Sequence, residues 1–343
     1  MSVRDLILKK LEEKGEVKSS EIVKATGYSR AYVNRYFKEL REEGILLQIG
    51  KANKAKYIPA TEEIILKERK SINKIHRILN NVNLHEDEVF NGIKRQSGIV
   101  EGLSGNVSSI LEYAFTEMLN NAIEHSESKK VEIIIERRTN NIIFEVRDRG
   151  IGIFNNIMNK KGLSNEMDAI QDLLKGKQTT APSYHSGEGI FFTSRIGDIL
   201  TIQSSLKKII FDNLIGDIFV RDVKSTQGTR VLFSISLDST GDINKVFKRY
   251  SDNNYEFSRT EVAIKLYAVD VNYISRSQAR RVLTGLENFK TIILDFREID
   301  TIGQAFADEI FRVWKMKNPR VNITFKNANE NVLFMIKRAL SEE

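Results

Sequence analysis

Residues 116–126, TEMLNNAIEHS, decide the fold of this chain. The stretch is typical of a helix, and Glu117 and Asn121 are four residues apart, so they would lie on one helical face, one turn apart. A carboxylate beneath an amide is unusual on a face that should be buried, because buried polar groups need hydrogen-bonding partners. This pair therefore indicates a helical face that meets a ligand.

Two strands and two glycine motifs follow the helix. The strands KKVEIIIERRT and NNIIFEVRDRGIGI end in Asp148, Gly150 and Gly152, an arrangement that leaves one carboxylate at the rim and backbone that a ligand can approach closely. Later in the chain, HSGEGIFFTSRIGD carries Gly187 and Gly189 where an apolar helix begins. Free N–H groups and the helix dipole make such a helix start suitable for a phosphate.

The ordered set of motifs resembles the Bergerat ATP-binding fold of the GHKL (HATPase_c) superfamily, which includes DNA gyrase, heat-shock chaperone ATPases, MutL and histidine kinases. The set comprises Glu-x-x-x-Asn on a helix, Asp-x-Gly-x-Gly after a strand, Gly-x-Gly at a helix start, and Gly228-Thr229 entering a final strand. The resemblance implies an α/β sandwich that binds ATP and Mg²⁺. The polar interval 154–184 between the glycine motifs would be a lid that can move.

The resemblance also implies a role for each matching residue. Asn121 would coordinate the Mg²⁺ that bridges the phosphates, because an amide oxygen is a reasonable hard ligand. Asp148 would accept a hydrogen bond from the adenine amino group, with Thr229 supporting it. The glycines would bring backbone close to the nucleotide, two of them beside the base and two donating N–H groups to phosphate: Gly150 and Gly152, and Gly187 and Gly189.

Glu117 bears on the reaction. Histidine kinases usually carry Asn at this position, whereas Glu is typical of the ATPases and of the serine kinases that act as anti-sigma factors. Glu117 would then be a general base that polarises a water or hydroxyl attacking the γ-phosphate. The surroundings of His76 lack a histidine-kinase acceptor box, His125 is expected to pack near the nucleotide, and His185 is a further candidate for phosphate contact.

Residues 1–60 have the pattern of three helices, ended by Gly15, Gly27 and Gly44, and a β-hairpin. They resemble a winged helix-turn-helix, which implies duplex DNA as the partner. The segment holds +5 of the net charge of +7, which favours a polyanionic partner, although a protein-interaction role stays open. The expected DNA contacts lie on the recognition helix, 29–43, and on the wing: Ser29, Arg30, Tyr32, Asn34 and Arg35, and Lys51, Lys54 and Lys56.

The chain from residue 250 onward alternates short strands with helices, which predicts a small α/β layer fold. Its stretch TIILDFREIDTIGQAFADEIF resembles the STAS domains of anti-anti-sigma factors. In that family the hydroxyl residue after an Asp is phosphorylated by a partner kinase, and this position maps onto Thr301. The stretch departs from the family pattern, with Thr in place of Ser, Ile302 next and Gln304 in place of Leu, so Thr301 could instead cap the following helix.

The sequence thus predicts a multidomain α+β protein: a winged helix (1–60), a helical connector that could form a homodimer (61–100), a GHKL domain (101–240) and a STAS-like domain (250–343). We expect an ATP-dependent regulator in transcription or defence, and the resemblance implies an ATPase. The alternatives are a serine/threonine kinase acting on a STAS-like domain, its own or a partner's, and a non-catalytic ATP sensor. Zero cysteines exclude disulfides and thiolate metal sites, and four histidines argue against a multi-histidine centre. No apolar run approaches the roughly 20 residues of a membrane span, so we expect a cytoplasmic protein without a membrane partner.

Overall fold

The computed structural model describes most of the chain: residues 2–50, 55–61, 69–176, 188–254, 256–268 and 275–341. It separates into two compact units, Met1–Asn73 with Gln96–Glu101, and Lys74–Arg95 with Gly102–Glu343. Among the described residues, no helix combines the length and the apolar character that crossing a membrane requires.

The first unit has the element order predicted for a winged helix. It contains three helices and a two-stranded antiparallel sheet: α1 (Val3–Lys14), α2 (Ser19–Thr26), α3 (Arg30–Glu42), β1 (Leu46–Ile49) and β2 (Lys56–Pro59). The apolar faces of the three helices share one core with the hairpin, in which Phe37 stacks on Tyr57 with ring centroids 4.1 Å apart. This core fixes α3 against the hairpin and turns its polar face outward.

The prediction of a helical connector over 61–100 is wrong for part of its length. Lys74–Asn80 forms strand β3, and only after it comes helix α4 (Glu86–Gln96). Side chains along β3 alternate between exposed and half-buried, which is the period-two signal of a strand. The alternating stretch is short and lies between polar segments with a helical pattern. The sequence therefore predicts a helix where the structure has a strand. Residues 62–68 of the connector lie outside the described part of the chain.

The second unit is built on a five-stranded antiparallel sheet in the order β3-β4-β5-β7-β6. Its remaining strands are β4 (Lys130–Arg137), β5 (Asn141–Asp148), β6 (Ile199–Asp212) and β7 (Asp217–Ser236). Besides α4, the helices that accompany this sheet are α5 (Gly105–His125), α6 (Ile153–Lys161), α7 (Glu166–Leu174) and α8 (Gly189–Ile196). Phe115 of α5 packs edge-on against Phe144 of β5, whose ring stacks on Phe233 of β7. This aromatic core holds α5 across the sheet.

The C-terminal part of the second unit has a three-stranded parallel sheet in the order β10-β9-β8. Its elements are α9 (Ile243–Tyr250), β8 (Arg259–Ala263), α10 (Arg276–Leu283), β9 (Thr291–Asp295), α11, β10 (Asn322–Lys326) and α12 (Glu330–Ser341). Helix α11 runs from Gln304–Ala307 through a π-helical segment, Asp308–Trp314, into Lys315–Lys317. Parallel strands need crossover connections, and α10 and α11 lie in the two crossovers. This is the small α/β layer fold that the alternation of strands and helices predicts.

Candidate nucleotide-binding site

Helix α5 presents Glu117 and Asn121 to a cavity of about 1600 Å³. The opposite face of the helix is apolar, with Phe115 and Leu119 fully buried against the sheet. Because the core fixes the apolar face, the polar face on the other side of the helix lines the cavity. Both residues are therefore brought together at one site, as the spacing of four predicts.

The side-chain nitrogen of Asn121 is buried and has no hydrogen-bond partner among the described residues. Leaving a buried amide group unsatisfied costs about 1–3 kcal/mol, so an orphan amide at a cavity wall indicates that a ligand supplies the partner. Its Nδ2 can donate to a phosphate oxygen, while its Oδ1 is a hard oxygen ligand that suits Mg²⁺. The residue present thus fits a metal–phosphate group.

The carboxylate of Glu117 lies against the N-terminus of α8. A Cβ atom placed on Gly189, the first residue of α8, would collide with Oε2 of Glu117, so any other residue there would displace the carboxylate from this position. The first N–H groups of a helix have no partners within that helix, and they form a suitable phosphate site. A carboxylate and N–H donors suited to an anion therefore meet at this point. Gly187 and His185 lie outside the described residues.

Asp148 ends strand β5 beneath the cavity and is only 6% exposed. Its Oδ1 accepts backbone hydrogen bonds from Gly150 (2.9 Å) and Thr229 (3.2 Å). Burial raises the pKa of Asp148 above its ordinary value, and these two hydrogen bonds oppose that rise. A carboxylate has about four lone-pair positions, so Asp148 keeps acceptor capacity for a ligand donor such as an amino group.

The glycines after Asp148 make close contacts with protein backbone and side chains. A Cβ on Gly150 would collide with the carbonyl oxygen of Ser126, at the end of α5, to which the N–H of Ile151 also donates (2.9 Å). Gly152 has φ +81°, and a Cβ there would lie 2.5 Å from Oγ of Ser204. The family resemblance implies that both glycines let the backbone pass close to the base of the nucleotide. The structure adds that Gly150 lets the loop pack directly against the end of α5.

Thr229 lies on β7 beside Asp148. Besides its backbone bond to the Asp148 carboxylate, its Oγ1 accepts a hydrogen bond from the N–H of Ile153 at 3.0 Å. Thr229 thus connects β7 both to the carboxylate and to the first residue of α6.

Several cavity residues escaped the sequence analysis. Tyr113 is one turn before Glu117, and burial together with the negative charges of Glu117 and Glu188 raises its pKa. Helical spacing of four from Glu117 would have revealed it. Asn156 is 5% exposed, and its Nδ2 donates to the carbonyl of His125 (3.1 Å). No sequence signal marks Asn156, because its position depends on how α6 packs beside the end of α5.

Three family models match separate parts of the chain. Residues 106–241 match the family described as histidine kinase-, DNA gyrase B-, and HSP90-like ATPase (HATPase_c). The central domain is a HATPase_c domain. Residues 2–46 match the bacterial regulatory protein, arsR family, and residues 278–333 match a STAS-like domain of unknown function (DUF4325). No curated protein matches the chain. The predicted combination of helix-turn-helix, ATPase-type and STAS-like domains is confirmed.

Of the histidines, His76 lies on the outermost strand of the HATPase_c sheet. Its Nε2 is 2.7 Å from Oε1 of Glu132 on the neighbouring strand, and it does not line the cavity. His125, at the end of α5, lines the cavity. That it packs near the nucleotide stays a prediction.

The candidate recognition helix of the arsR-type domain, α3, separates its faces clearly. Ser29 caps it by accepting from the N–H of Tyr32 (3.2 Å). Arg30, Tyr32, Asn34 and Arg35 are exposed, whereas Val33 and Phe37 are buried in the core. All five predicted contact residues at the start of α3 therefore lie together on or beside its outer face.

The wing residues give a mixed result. Lys51 and Lys54 lie outside the described residues. Lys56, on β2, forms an ion pair with Glu16 at 2.5 Å. Its charge is therefore partly engaged within the domain, which the sequence did not indicate.

Thr301 lies between β9 and α11 of the STAS-like domain. The helix begins at Gln304 with Gly303 at its N-cap position, so the interpretation of Thr301 as the helix cap is wrong. Asn329 donates to the carbonyls of Ile299 (3.0 Å) and Asp300 (2.9 Å). This fixes the segment before Thr301 at the edge of the sheet where the parallel strands end.

Proposed function

We propose that the protein is an ATP-dependent regulator that binds Mg-ATP in the HATPase_c cavity and hydrolyses it, and so changes its assembly or its contact with DNA. The observation that carries the proposal is the pair on α5. The Glu117 carboxylate lies against Gly189 at a helix N-terminus, one turn from the orphan amide of Asn121. A base, an amide ligand and anion-binding N–H groups are the parts that phosphoryl transfer to water needs.

Each polar residue has a defined role in this proposal. Asn121 would bind Mg²⁺ through its amide oxygen and donate to a phosphate oxygen through Nδ2. Asp148 accepts from the amino group of the base and so selects adenine. Glu117 orients the attacking water and takes its proton on a carboxylate oxygen. The water oxygen bonds to the terminal phosphorus while the bond from that phosphorus to the bridging oxygen breaks, so that ADP leaves with that oxygen and inorganic phosphate is released. Mg²⁺, when bound, would neutralise charge that develops on the phosphate oxygens.

The direction of the STAS-like sheet favours hydrolysis over phosphorylation of the chain's own Thr301. The cavity-lining Arg259 and Lys290 stand where β8 and β9 begin, whereas Thr301 follows the end of β9. A five-residue strand is roughly 16 Å long at 3.3 Å per residue. The edge of the STAS-like sheet that lines the cavity is therefore the edge opposite to the one where Thr301 lies. A kinase acting on a partner's hydroxyl remains the second candidate, since Glu117 would activate a hydroxyl as it does a water.

The test follows both products of γ-labelled ATP in the full chain, with and without duplex DNA. The proposal expects label in free phosphate and none on protein, with the same release rate in Thr301→Ala. Stable label on the protein that Thr301→Ala removes would contradict it and establish the kinase. Release that responds to DNA would tie turnover to the helix-turn-helix.

DNA binding through α3 gives a separate prediction. Replacing Arg30 and Arg35 together by Ala should weaken binding to duplex DNA by roughly tenfold or more and flatten the salt dependence by about two units of slope, because two exposed cations near phosphate are lost. Titrations by fluorescence anisotropy at several salt concentrations measure both. Lys9→Ala, an exposed cation on α1, is the matched control. Equal loss in the control, or no DNA binding by the native protein at low salt, would move the domain to a role in protein interaction.

The setting proposed for this activity is the cytoplasm, where the protein would act in transcriptional control or in defence against foreign DNA. The arsR-type helix-turn-helix supports that setting.

A further inference from the structure

One wall of the cavity does not come from the HATPase_c match. It carries three cationic residues, Lys248, Arg259 and Lys290, which we call the basic wall. Lys248 lies on α9, and the other two stand at the starts of β8 and β9 in the STAS-like domain. All three are exposed to solvent within the cavity or at its mouth. Asp242 and Asp252 line the same part of the cavity, so three positive and two negative charges leave a net positive charge of one, which suits an anionic group.

Backbone contacts hold the basic wall together. The N–H of Lys290 donates to the carbonyl of Ser258 (2.8 Å), which joins the starts of the two strands. Nη1 of Arg259 donates to the carbonyl of Arg249 in α9 at 3.4 Å. Lys290 also pairs with Asp252, another cavity residue. An ammonium has three donors and a guanidinium five, so both side chains retain donors for a ligand.

Aromatic packing shows at which end of the cavity the wall stands. The ring of Phe247 in α9 is 5.3 Å from Tyr113 and 4.8 Å from Phe192, measured between centroids. Tyr113 is one turn before Glu117, and Phe192 follows Gly189 in α8. Asp148 is at the other end, where the Gly150 loop meets Ser126. Tyr113 and Ser126 are roughly 20 Å apart along α5 at 1.5 Å per residue. The wall therefore stands at the Glu117 end, away from the base.

Buried polar contacts fix the STAS-like domain in this position. Nζ of Lys175, just after α7, donates to the carbonyls of Arg281 and Thr284 at 2.8 Å each. In return, Oγ1 of Thr260 donates to the carbonyl of Lys175 at 2.6 Å. Lys175 is only 3% exposed. Such shielded hydrogen bonds hold the beginning of β8, and with it Arg259, close to the HATPase_c domain.

We propose that the STAS-like domain supplies the terminal-phosphate contacts of the nucleotide site, with Arg259 and Lys290 binding the γ-phosphate and thereby distinguishing ATP from ADP. This inference rests on the proposed function, since it needs ATP in the cavity with its base toward Asp148. Charge-assisted hydrogen bonds from Arg and Lys to phosphate are among the stronger polar contacts in proteins. ADP lacks the group that would reach this end of the cavity.

The proposal has a reciprocal consequence. If contact with the STAS-like domain strengthens ATP binding by some factor, then ATP strengthens the docking of that domain by the same factor. ATP would thus join the two domains, and loss of the γ-phosphate would weaken the joint. The STAS-like domain becomes the part of the chain that reports which nucleotide is bound.

The test compares affinities for Mg²⁺ with a non-hydrolysable β,γ-imido analogue of ATP and for Mg-ADP, by titration calorimetry on the full chain. Arg259→Ala and Lys290→Ala should each weaken analogue binding by about tenfold, which corresponds to 1.4 kcal/mol, and change ADP binding less than twofold. Arg259→Lys should recover part of the loss. Lys245→Ala is the matched control, because Lys245 is an exposed cation on α9 that does not line the cavity.

The possible outcomes distinguish failure of this inference from failure of the proposed function on which it rests. The inference alone is overturned if the native protein binds the analogue and both Ala variants keep the native ratio of analogue affinity to ADP affinity. Equal weakening for both nucleotides also overturns it, since the γ-phosphate would then not be the group contacted. Native protein that binds neither nucleotide overturns the proposed function as well.

Discussion

Glu117→Gln is expected to bind Mg-ATP with equal or higher affinity and to hydrolyse it about 10²–10⁴-fold more slowly. Gln has nearly the shape of Glu, so the contact with Gly189 at the start of α8 is retained. The amide cannot take a proton from the attacking water, and removing one negative charge next to the phosphates does not oppose binding. Loss of turnover without loss of binding separates a base from a structural residue.

Calorimetry and steady-state phosphate release on the same preparation measure the two quantities. Glu124→Gln is the matched control, since Glu124 lies on the same helix, is exposed and does not line the cavity. A Glu117→Gln protein that hydrolyses ATP at the native rate would remove Glu117 from the chemistry. A native protein that binds ATP without turnover, and whose DNA response survives in Glu117→Gln, would establish a non-catalytic ATP sensor.

The second large effect is expected at the other end of the cavity. Asp148→Asn should weaken ATP binding by roughly tenfold to a hundredfold. This is the range expected for losing a hydrogen bond from the adenine amino group to a charged carboxylate. An Asn side chain can still accept from Gly150 and Thr229 through its oxygen. Its NH₂ group, however, is a donor that cannot pair with the amino group of adenine. Asp222→Asn, an exposed carboxylate on β7 paired with Lys207, is the control.

The same substitution should not destabilise the fold. Burial raises the folded-state pKa of Asp148 above its ordinary value of 3.8, so the group contributes stability below that value and the contribution is lost as pH rises through the raised pKa. At neutral pH the ionised carboxylate is a net cost to folding, which Asn removes. Urea unfolding without nucleotide should therefore give Asp148→Asn equal or greater stability at pH 7, and an advantage that shrinks in acid. Native ATP affinity in this variant would contradict the assignment of the base-binding end.

The sequence predicts the parts of the site that are local. Glu117 and Asn121 are joined by one helical turn, and Asp148 follows directly from the end of its strand, so spacing alone places them on the right elements. The reason for Gly150 was harder to foresee. Its closest neighbour is the carbonyl of Ser126, a contact that exists only once α5 and β5 are packed.

What the sequence does not reveal depends on long-range packing. Arg259 and Lys290 are separated from Glu117 by more than a hundred residues, and each is an ordinary surface cation at the start of a short strand. Lys175 resembles a solvated charge, yet it is buried between two domains. There burial lowers its pKa to about 8, an effect that no local pattern indicates. Strand β3 was missed for the opposite reason, because its own alternation is short and its neighbours are helical.

The parallel direction of β8, β9 and β10 gives the STAS-like domain two separate edges, each of which could bind a different partner. The edge where the strands begin lines the cavity at its Glu117 end, and Asp300 and Thr301 lie at the edge where the strands end. A phosphate on Thr301, or a protein bound there, would not compete with ATP for the same atoms. The domain could then combine the two signals, so that its state depends on cellular energy and on an outside partner together.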